Sequence, residues 1–189
     1  MKRFDFPYIL KVYRYDDSDN SYTMEYCEHT LKDYISHNNQ KMSPWARRKM
    51  AMQFLYAMNF LHKHGVCHRD LSYGNVLIHT YDDGAFTVKV SDFGLAKERN
   101  SDLTSTGSSM KGSIGDPALK SFKDFKPVND IYSIGFILNY IFTGRRDLLA
   151  DGSRLGSIIQ KCSATNSADR YQTVRDIIED MKKAECLVG

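Results

Sequence analysis

The sequence feature that most constrains the fold is an apolar segment of helical length, from Asp130 to Thr143. Its apolar residues cover most of the circumference of a helix rather than one stripe, so we expect this helix to be buried on nearly all sides. They are Ile131, Ile134, Phe136, Ile137, Leu138, Ile141 and Phe142. Gly144 follows, at the position where a glycine often ends a helix. The segment is shorter than the run of about 18 apolar residues that suggests a membrane span, so it predicts a buried helix of a globular chain.

Two amphipathic helices are predicted on either side of this segment. The first begins with Ser43 as N-cap and Pro44 at the first helical position, and it ends at Gly65. The second runs from Val174 to about Lys183 behind the N-cap Thr173. Apolar residues recur at steps of three and four in the first helix, at Ala46, Met50, Phe54, Ala57 and Leu61. This spacing predicts one buried stripe along the helix.

Short strands rich in β-branched and aromatic residues complete the pattern. Residues Tyr8–Tyr15 and Ser21–Tyr26 flank a polar turn and predict one hairpin, and Val76–His79 with Thr87–Val90 predict another. A short helix is expected at Leu31–Ser36. The sequence therefore predicts an α+β chain that is mainly helical, without repeats and without a linker between domains.

The charge and cysteine content exclude several classes of protein. The net charge of +3 is spread along the chain, whereas a nucleic-acid-binding surface needs a clustered basic face. The four cysteines show no paired spacing such as C-x-x-C, which favours reduced thiols over a disulfide framework. No signal peptide and no membrane-spanning run is present. We therefore expect a cytoplasmic protein that binds neither nucleic acid nor a membrane.

Three motifs carry the chemistry. The first runs from His68 to Asn75 and reads His-Arg-Asp-Leu-Ser-Tyr-Gly-Asn. The second is Asp92-Phe93-Gly94, and the third runs from Asp130 to Gly135 and reads Asp-Ile-Tyr-Ser-Ile-Gly. In this order and at this spacing they resemble the catalytic loop, the magnesium-binding motif and a buried helix start of eukaryotic-type (Hanks-type) Ser/Thr protein kinases. The resemblance implies a partial kinase domain over residues 1–189, with small-lobe strands and the hinge in 1–27 and the helical large lobe in 28–189.

The resemblance also implies a role for each motif residue, with ATP and Mg²⁺ as cofactors and a protein as substrate. Asp70 would orient the acceptor hydroxyl and take its proton, and Asn75 and Asp92 would hold magnesium. His68 would pack, with Phe93, in the spine that joins the two lobes. Arg69 would contact a phosphorylated activation segment. Asp130 would tie the buried helix to the backbone of the catalytic loop.

A second group of residues would form the adenine pocket. By resemblance, Met24 is the gatekeeper, the backbone of Glu25 and Cys27 meets the adenine edge, and Leu77 forms the pocket floor. Plain core packing explains the apolar members of this group as well, and the sequence leaves that alternative open.

The activation segment carries several departures from the family pattern. Hydroxyl residues within it could be phosphorylated, although an unregulated polar loop fits the sequence as well; they are Thr104, Ser105, Thr106, Ser108 and Ser109. Ser113 at the expected specificity position favours Ser/Thr over Tyr as acceptor. The segment Gly112–Ala118 lacks the glutamate that normally pairs with an arginine like Arg170, so the partner of Arg170 is left open. Ser72 replaces a lysine that contacts the γ-phosphate in many relatives.

The remaining departures concern whole elements. The chain contains no Gly-rich loop, no phosphate-binding strand lysine and no small-lobe helix glutamate, and the substrate-docking helix is expected to be trimmed. We therefore expect a kinase lobe from a truncated or minimal kinase. Two alternatives stay open: a pseudokinase-like scaffold or regulatory module, and one half of a split kinase whose small lobe is a separate protein.

Overall fold

The computed structural model describes residues 4–16, 18–19, 21–92, 97–98 and 114–184. The helices are α1 (Leu31–Asn38), α2 (Pro44–Lys63), α3 (Pro127–Thr143), α4 (Arg154–Cys162) and α5 (Val174–Lys183). The strands are β1 (Val12–Asp16), β2 (Ser21–Met24), β3 (His29–Thr30), β4 (Val66–Cys67), β5 (Val76–Thr80), β6 (Phe86–Val90) and β7 (Lys97–Glu98). Two 3₁₀ turns lie at Phe122–Asp124 and Ser167–Asp169. The predicted α+β, mainly helical fold class is confirmed.

Helix α3 lies at the centre of the helical body, in contact with α1, α2 and α4. The side chains predicted to bury it are fully buried at Ile131, Ile134, Ile137, Leu138 and Ile141. The helix begins at Pro127, three residues before the predicted start at Asp130, because a polar first turn is capped locally. The backbone N–H of Lys126 donates to the side-chain oxygen of Asn129 at 2.7 Å.

Helix α2 has the predicted cap and the predicted buried stripe. The Ser43 hydroxyl accepts a hydrogen bond from the N–H of Ala46 at 3.2 Å. The stripe residues Met50, Phe54, Ala57 and Leu61 are fully buried, and Ala46 is partly buried. On the same helix, the Gln53 side-chain oxygen accepts from the N–H of Val88 at 2.8 Å, which holds β6 against α2.

Two helices close the fold behind α3. Helix α4 was not predicted from the sequence. It begins after Ser153, which is its N-cap, and packs against α3. Helix α5 has the predicted bounds and the predicted cap, since the Thr173 hydroxyl accepts from the N–H of Asp176 at 3.2 Å. Residues 145–153 between α3 and α4 contain no helix.

The strands form small antiparallel sheets, of which the largest has the order β3-β5-β6. The segment before β1 adds to this sheet: Ile9 bridges Val90 in parallel, and the N–H of Leu10 donates to Val90 O at 2.9 Å. The predicted first strand, Tyr8–Tyr15, is therefore divided, and β1 starts only at Val12. Strands β1 and β2 pair with each other and with no further strand in the described part of the chain.

None of the helices within the described residues has the length and hydropathy needed to cross a membrane.

Candidate active site

The segment 68–75 is hydrogen-bonded to α3 through one buried carboxylate, that of Asp130. Asp130 accepts a hydrogen bond from the N–H of His68 at 2.8 Å and from the N–H of Arg69 at 3.0 Å. These are the contacts that the sequence analysis predicts for Asp130. A buried carboxylate needs such donors, because an unpaired charge away from water is costly. The loop backbone is thus fixed to the most buried helix of the fold.

The same carboxylate has a third partner that the sequence analysis missed. The Nε2 atom of His62, in the last turn of α2, lies 2.8 Å from Asp130 Oδ2. The exposed fractions of the two side chains are 9% and 1%. No local pattern in the sequence marks a contact between residues that lie 68 positions apart.

His68 is a fully buried histidine with both ring nitrogens in use. Its Nε2 lies 2.8 Å from Ser91 O, and its Nδ1 accepts from the N–H of Asp70 at 3.3 Å. Since a carbonyl can only accept, Nε2 carries the hydrogen and Nδ1 is the acceptor. Burial lowers the pKa of the imidazole, against the opposing effect of Asp130. His68 is therefore a neutral histidine whose ring links the catalytic loop to the residue that follows β6.

Asp70 and Asn75 are joined directly by hydrogen bonds. The Asn75 amide nitrogen donates to Asp70 O at 2.7 Å and to Asp70 Oδ2 at 3.2 Å. Ser72 closes the turn between them, because its hydroxyl accepts from the N–H groups of Gly74 at 3.2 Å and Asn75 at 3.1 Å. At the position where the resemblance expects a lysine, this chain has a serine that shapes the loop.

Ser91, the residue before Asp92, links this part of the chain to Asn75. The N–H and the hydroxyl of Ser91 both donate to Asn75 O, at 2.9 and 3.1 Å. Asp92 itself is exposed and has a φ of 62°, and Arg69 has a φ of 71°. Left-handed backbone at such residues is uncommon and persists where the surroundings hold it in place. Phe93 and Gly94 lie outside the described residues.

Asn75 and Asp92 each offer an oxygen atom of the type that magnesium binds. The Asn75 amide nitrogen is engaged by Asp70, and no donor among the described residues contacts Asn75 Oδ1. The Asp92 carboxylate belongs to an exposed residue that follows Ser91, whose hydroxyl donates to Asn75 O. Amide and carboxylate oxygens are the hard ligands that Mg²⁺ takes when it also keeps water and phosphate ligands.

The predicted adenine-pocket residues lie along β2, the following segment and β5. Met24 ends β2 and has an exposed fraction of 45%. The Glu25 N–H donates to Lys11 O at 2.8 Å, and the Glu25 carboxylate lies 2.8 Å from Lys89 Nζ, an ion pair that the sequence analysis did not predict. Burial, with the charge of Glu25, raises the pKa of the Cys27 thiol to about 11. Leu77 is half-buried in β5 and pairs with Thr30.

Arg69 points toward the segment that follows the activation segment. Its guanidinium lies 5.1 Å from the ring centre of Phe122 and 5.6 Å from that of Phe125. Its Nε atom is buried without a hydrogen-bond partner among the described residues. The predicted phosphate sites Thr104, Ser105, Thr106, Ser108 and Ser109, and the specificity residue Ser113, lie outside the described residues.

The structure supplies the partner of Arg170 that the sequence left open. Arg170 Nη1 and Nη2 contact the two carboxylate oxygens of Asp116 at 2.5 and 2.9 Å. The exposed fractions of the two side chains are 0% and 1%. Burial acts to raise the pKa of Asp116, but hydrogen bonds from Arg170 and Asn129 outweigh it, and the net pKa is lowered. An aspartate near the expected place of the glutamate was the available signal.

This pair anchors the end of the activation segment beside the catalytic loop. The N–H of Ile114 donates to Leu71 O at 2.9 Å, and the Ser133 hydroxyl donates to Ile114 O at 2.7 Å. The described end of the segment is therefore bonded both to the catalytic loop and to α3.

Comparison with solved structures defines the class of fold to which this arrangement belongs. The crystal structure of the Rad53 kinase domain and SCD2 aligns with 98% of this chain and 81% of that chain, with a TM-score of 0.71 and 17% sequence identity. At this identity the likeness concerns the fold alone, which is that of a protein kinase.

Sequence comparison identifies the family. The model of the protein kinase domain matches residues 1–185, and the chain belongs to this family. Serine/threonine-protein kinase PrkC of Bacillus subtilis is 28% identical over 95% of this chain and 32% of that protein. The carbon catabolite-derepressing protein kinase of Candida glabrata is 33% identical over 74% of this chain and 22% of that protein. The chain thus spans a third or less of the length of these relatives.

Proposed function

We propose that this chain transfers the γ-phosphate of ATP to a serine or threonine hydroxyl of a protein substrate. The observation that carries the proposal is the hydrogen-bonded pair Asp70 and Asn75, with Ser91, the residue before Asp92, bonded to Asn75 O. In phosphoryl transfer, catalysis consists mainly of positioning and of charge neutralisation. A fixed carboxylate beside two oxygen ligands for a cation serves both needs.

Each of these residues has one task in the proposed reaction. Asp70 accepts the proton of the acceptor hydroxyl as the hydroxyl oxygen bonds to the γ-phosphorus and the bond to the ADP oxygen breaks. Asn75 holds the Asp70 carboxylate in position through its amide nitrogen, and its Oδ1 with the Asp92 carboxylate would hold Mg²⁺. Bound magnesium would neutralise charge that develops on the phosphate oxygens. Met24, the backbone of Glu25 and Cys27, and Leu77 would line the adenine site.

The choice of serine or threonine as acceptor rests on the relatives. PrkC of Bacillus subtilis and the probable PknB of Lactococcus lactis are named as serine/threonine-protein kinases. Both align over most of this chain, with 95% and 84% of it covered. The first test is therefore made with a Ser/Thr protein substrate.

The test is transfer of labelled γ-phosphate from ATP and Mg²⁺ to the chain itself and to a generic protein substrate. We expect Asp70→Asn to lower the transfer rate by roughly 10²–10⁴, the usual contribution of a general base. Asp82→Asn, an exposed aspartate in the β5–β6 turn, is the matched control and should keep the rate. Equal labelling by the Asp70→Asn variant would contradict the proposal.

A second candidate is a binding module whose partner covers the β1–β2 hairpin, such as a separate small lobe or a regulator. It is favoured by the exposure of large apolar side chains there, with exposed fractions of 45% for Met24 and 76% for Tyr26. An unpaired sheet edge beside such residues is a surface that natural proteins usually cover. Partner capture that survives Asp92→Asn but is lost with Tyr26→Asp would support this candidate, and capture that requires ATP would count against it.

A further inference from the structure

Tyr73 joins the catalytic loop to the helical body and forms an aromatic platform next to Asp70. It lies three residues after Asp70, and its ring packs on that of Tyr140 in α3 with centres 4.6 Å apart. The Tyr73 carbonyl accepts from the N–H of Lys32 at the start of α1, at 3.1 Å. The Tyr140 hydroxyl donates to Lys32 O at 3.4 Å. The platform is thus fixed from two helices.

One exposed arginine lies on this platform. The guanidinium of Arg146 is 5.6 Å from the ring centre of Tyr73, a cation–π distance. A guanidinium over a ring face keeps its planar set of N–H donors available at its edges. Arg146 is therefore presented beside the catalytic loop with donors for an oxygen anion.

The loop that carries Arg146 is held by one fully buried amide. The Asn139 side-chain nitrogen donates to Arg145 O at 2.8 Å and to Asp147 O at 3.0 Å, on either side of Arg146. Its oxygen accepts from the N–H of Leu149 at 2.9 Å. A buried amide with three hydrogen bonds fixes the loop, so the position of Arg146 is determined before any ligand arrives.

The residues that bond to Tyr73 through the backbone or adjoin Arg146 in sequence are mainly basic. Lys32 and Arg145 are exposed with Arg146, and no ion pair joins any of the three to a carboxylate of the described residues. The acidic residues nearby are Asp33 and Asp147. The Asp33 carboxylate already accepts from the Thr30 hydroxyl at 2.6 Å, in the cap of α1.

We propose that the basic face formed by Lys32, Arg145 and Arg146 around Tyr73 selects acceptor segments with acidic residues beside the serine or threonine. This inference rests on the proposed function and adds the class of substrate to it. Carboxylate side chains of an acceptor peptide would pair with the guanidinium of Arg146 while the hydroxyl lies at Asp70. Opposite charge would favour acidic peptides, and basic peptides would be repelled.

The test measures binding of two fluorescent peptides that share a central serine and differ only in flanks of four glutamates or four lysines. Fluorescence anisotropy with the full chain should give at least tenfold tighter binding of the acidic peptide, and the difference should shrink at 0.5 M salt. Arg146→Glu should remove the preference. Arg175→Glu, on α5, is the matched control and should keep it. Equal binding of the two peptides, or a preference that survives Arg146→Glu, would overturn the inference.

A transfer assay with the same peptides separates this inference from the proposed function. Label on both peptides at equal rates, dependent on Asp70, would support the kinase function and overturn the acidic preference. Preferential binding of the acidic peptide without label on any acceptor would support the basic face and count against transfer by this chain. Preferential label on the acidic peptide that Arg146→Glu abolishes is the expected result.

Discussion

Asp116 and Arg170 form a bidentate pair that is almost entirely removed from water. Removing one partner leaves the other charge buried without compensation, which typically costs about 3–5 kcal/mol. We therefore expect Asp116→Asn to lower the free energy of unfolding by about that amount, as measured by urea denaturation. Asp124→Asn, eight residues away in an exposed turn, is the control, and we expect a change within about 0.5 kcal/mol. A small effect of Asp116→Asn would show that Arg170 is satisfied by the carbonyl oxygens that it also contacts, those of Ala164, Val128 and Thr165.

His68 gives the folded protein a pH dependence of stability. Because burial lowers its pKa below the unfolded value of about 6.5, the unfolded chain takes up a proton that the folded chain resists. Stability is thus full above that pH and is lost as the pH falls below it. We expect the free energy of unfolding to drop from pH 7.5 to 5.5 through this group, by at most about 1.4 kcal/mol, the limit for a folded His68 that takes up no proton.

Urea denaturation at the two pH values measures this effect. The His68→Phe variant should be less stable at both pH values, but the part of the pH-dependent change in stability that comes from His68 should be absent. The His37→Asn variant, altered at an exposed histidine, should keep the full change. If the free energy of unfolding changes equally between the two pH values in all three proteins, the pH dependence comes from other groups.

The resemblance of residues 68–75 to a kinase catalytic loop predicted that Asp70 and Asn75 act together, and the two residues are hydrogen-bonded. The resemblance could not predict the contact of His62 with Asp130 or that of Arg170 with Asp116, because each joins positions far apart in sequence. Such contacts depend on how helices pack. No short stretch of sequence predicts these contacts, because they form only when the chain folds.

Among the elements, the crossing of α3 and α4 depends on a glycine. A Cβ atom at Gly135 would lie 2.9 Å from the Cβ atom of Cys162 and 3.2 Å from Ile159 O. Since two helices would have to move apart, we expect Gly135→Ala to cost about 1–3 kcal/mol of stability despite the better helix propensity of alanine. Gly115→Ala is the control, because nothing lies within 4 Å of its Cβ position. A variant as stable as the wild type would show that α4 can shift freely.

Elements with strong local signals were predicted best. Helices α2 and α5 have a hydroxyl N-cap followed by an apolar stripe, and both were found where expected. Helix α4 was missed because it is short and has a glycine in its first turn, and the two-residue strands β3, β4 and β7 have no periodicity to detect. The early start of α3 was missed because its first turn is polar and its cap is a side chain of the turn itself.

Across the whole molecule, the hairpin β1–β2 and the helical body are joined through the segment 4–10. Ile9 and Leu10 are buried against β6, and the ring of Phe6 stacks on that of Phe60 in α2 with centres 4.4 Å apart. Beyond this segment, the hairpin has the exposed side chains Met24 and Tyr26 and pairs with no other described strand. The segment therefore attaches the hairpin to the helical body, together with the Glu25–Lys89 ion pair at the end of β2.

Hydrogen exchange can test whether the segment 4–10 and the hairpin open as a unit. We expect Phe60→Ala to remove on the order of 2 kcal/mol of stacking and burial, which corresponds to roughly 30-fold faster exchange of the Leu10 amide and its neighbours. Exchange in α3 should stay unchanged, because its amides open only with the helical body. Tyr26→Ala, on the exposed hairpin end, is the control and should alter neither region. Faster exchange throughout α3 in the Phe60→Ala variant would mean that the hairpin and the helical body open together, and that the attachment stabilises the whole chain.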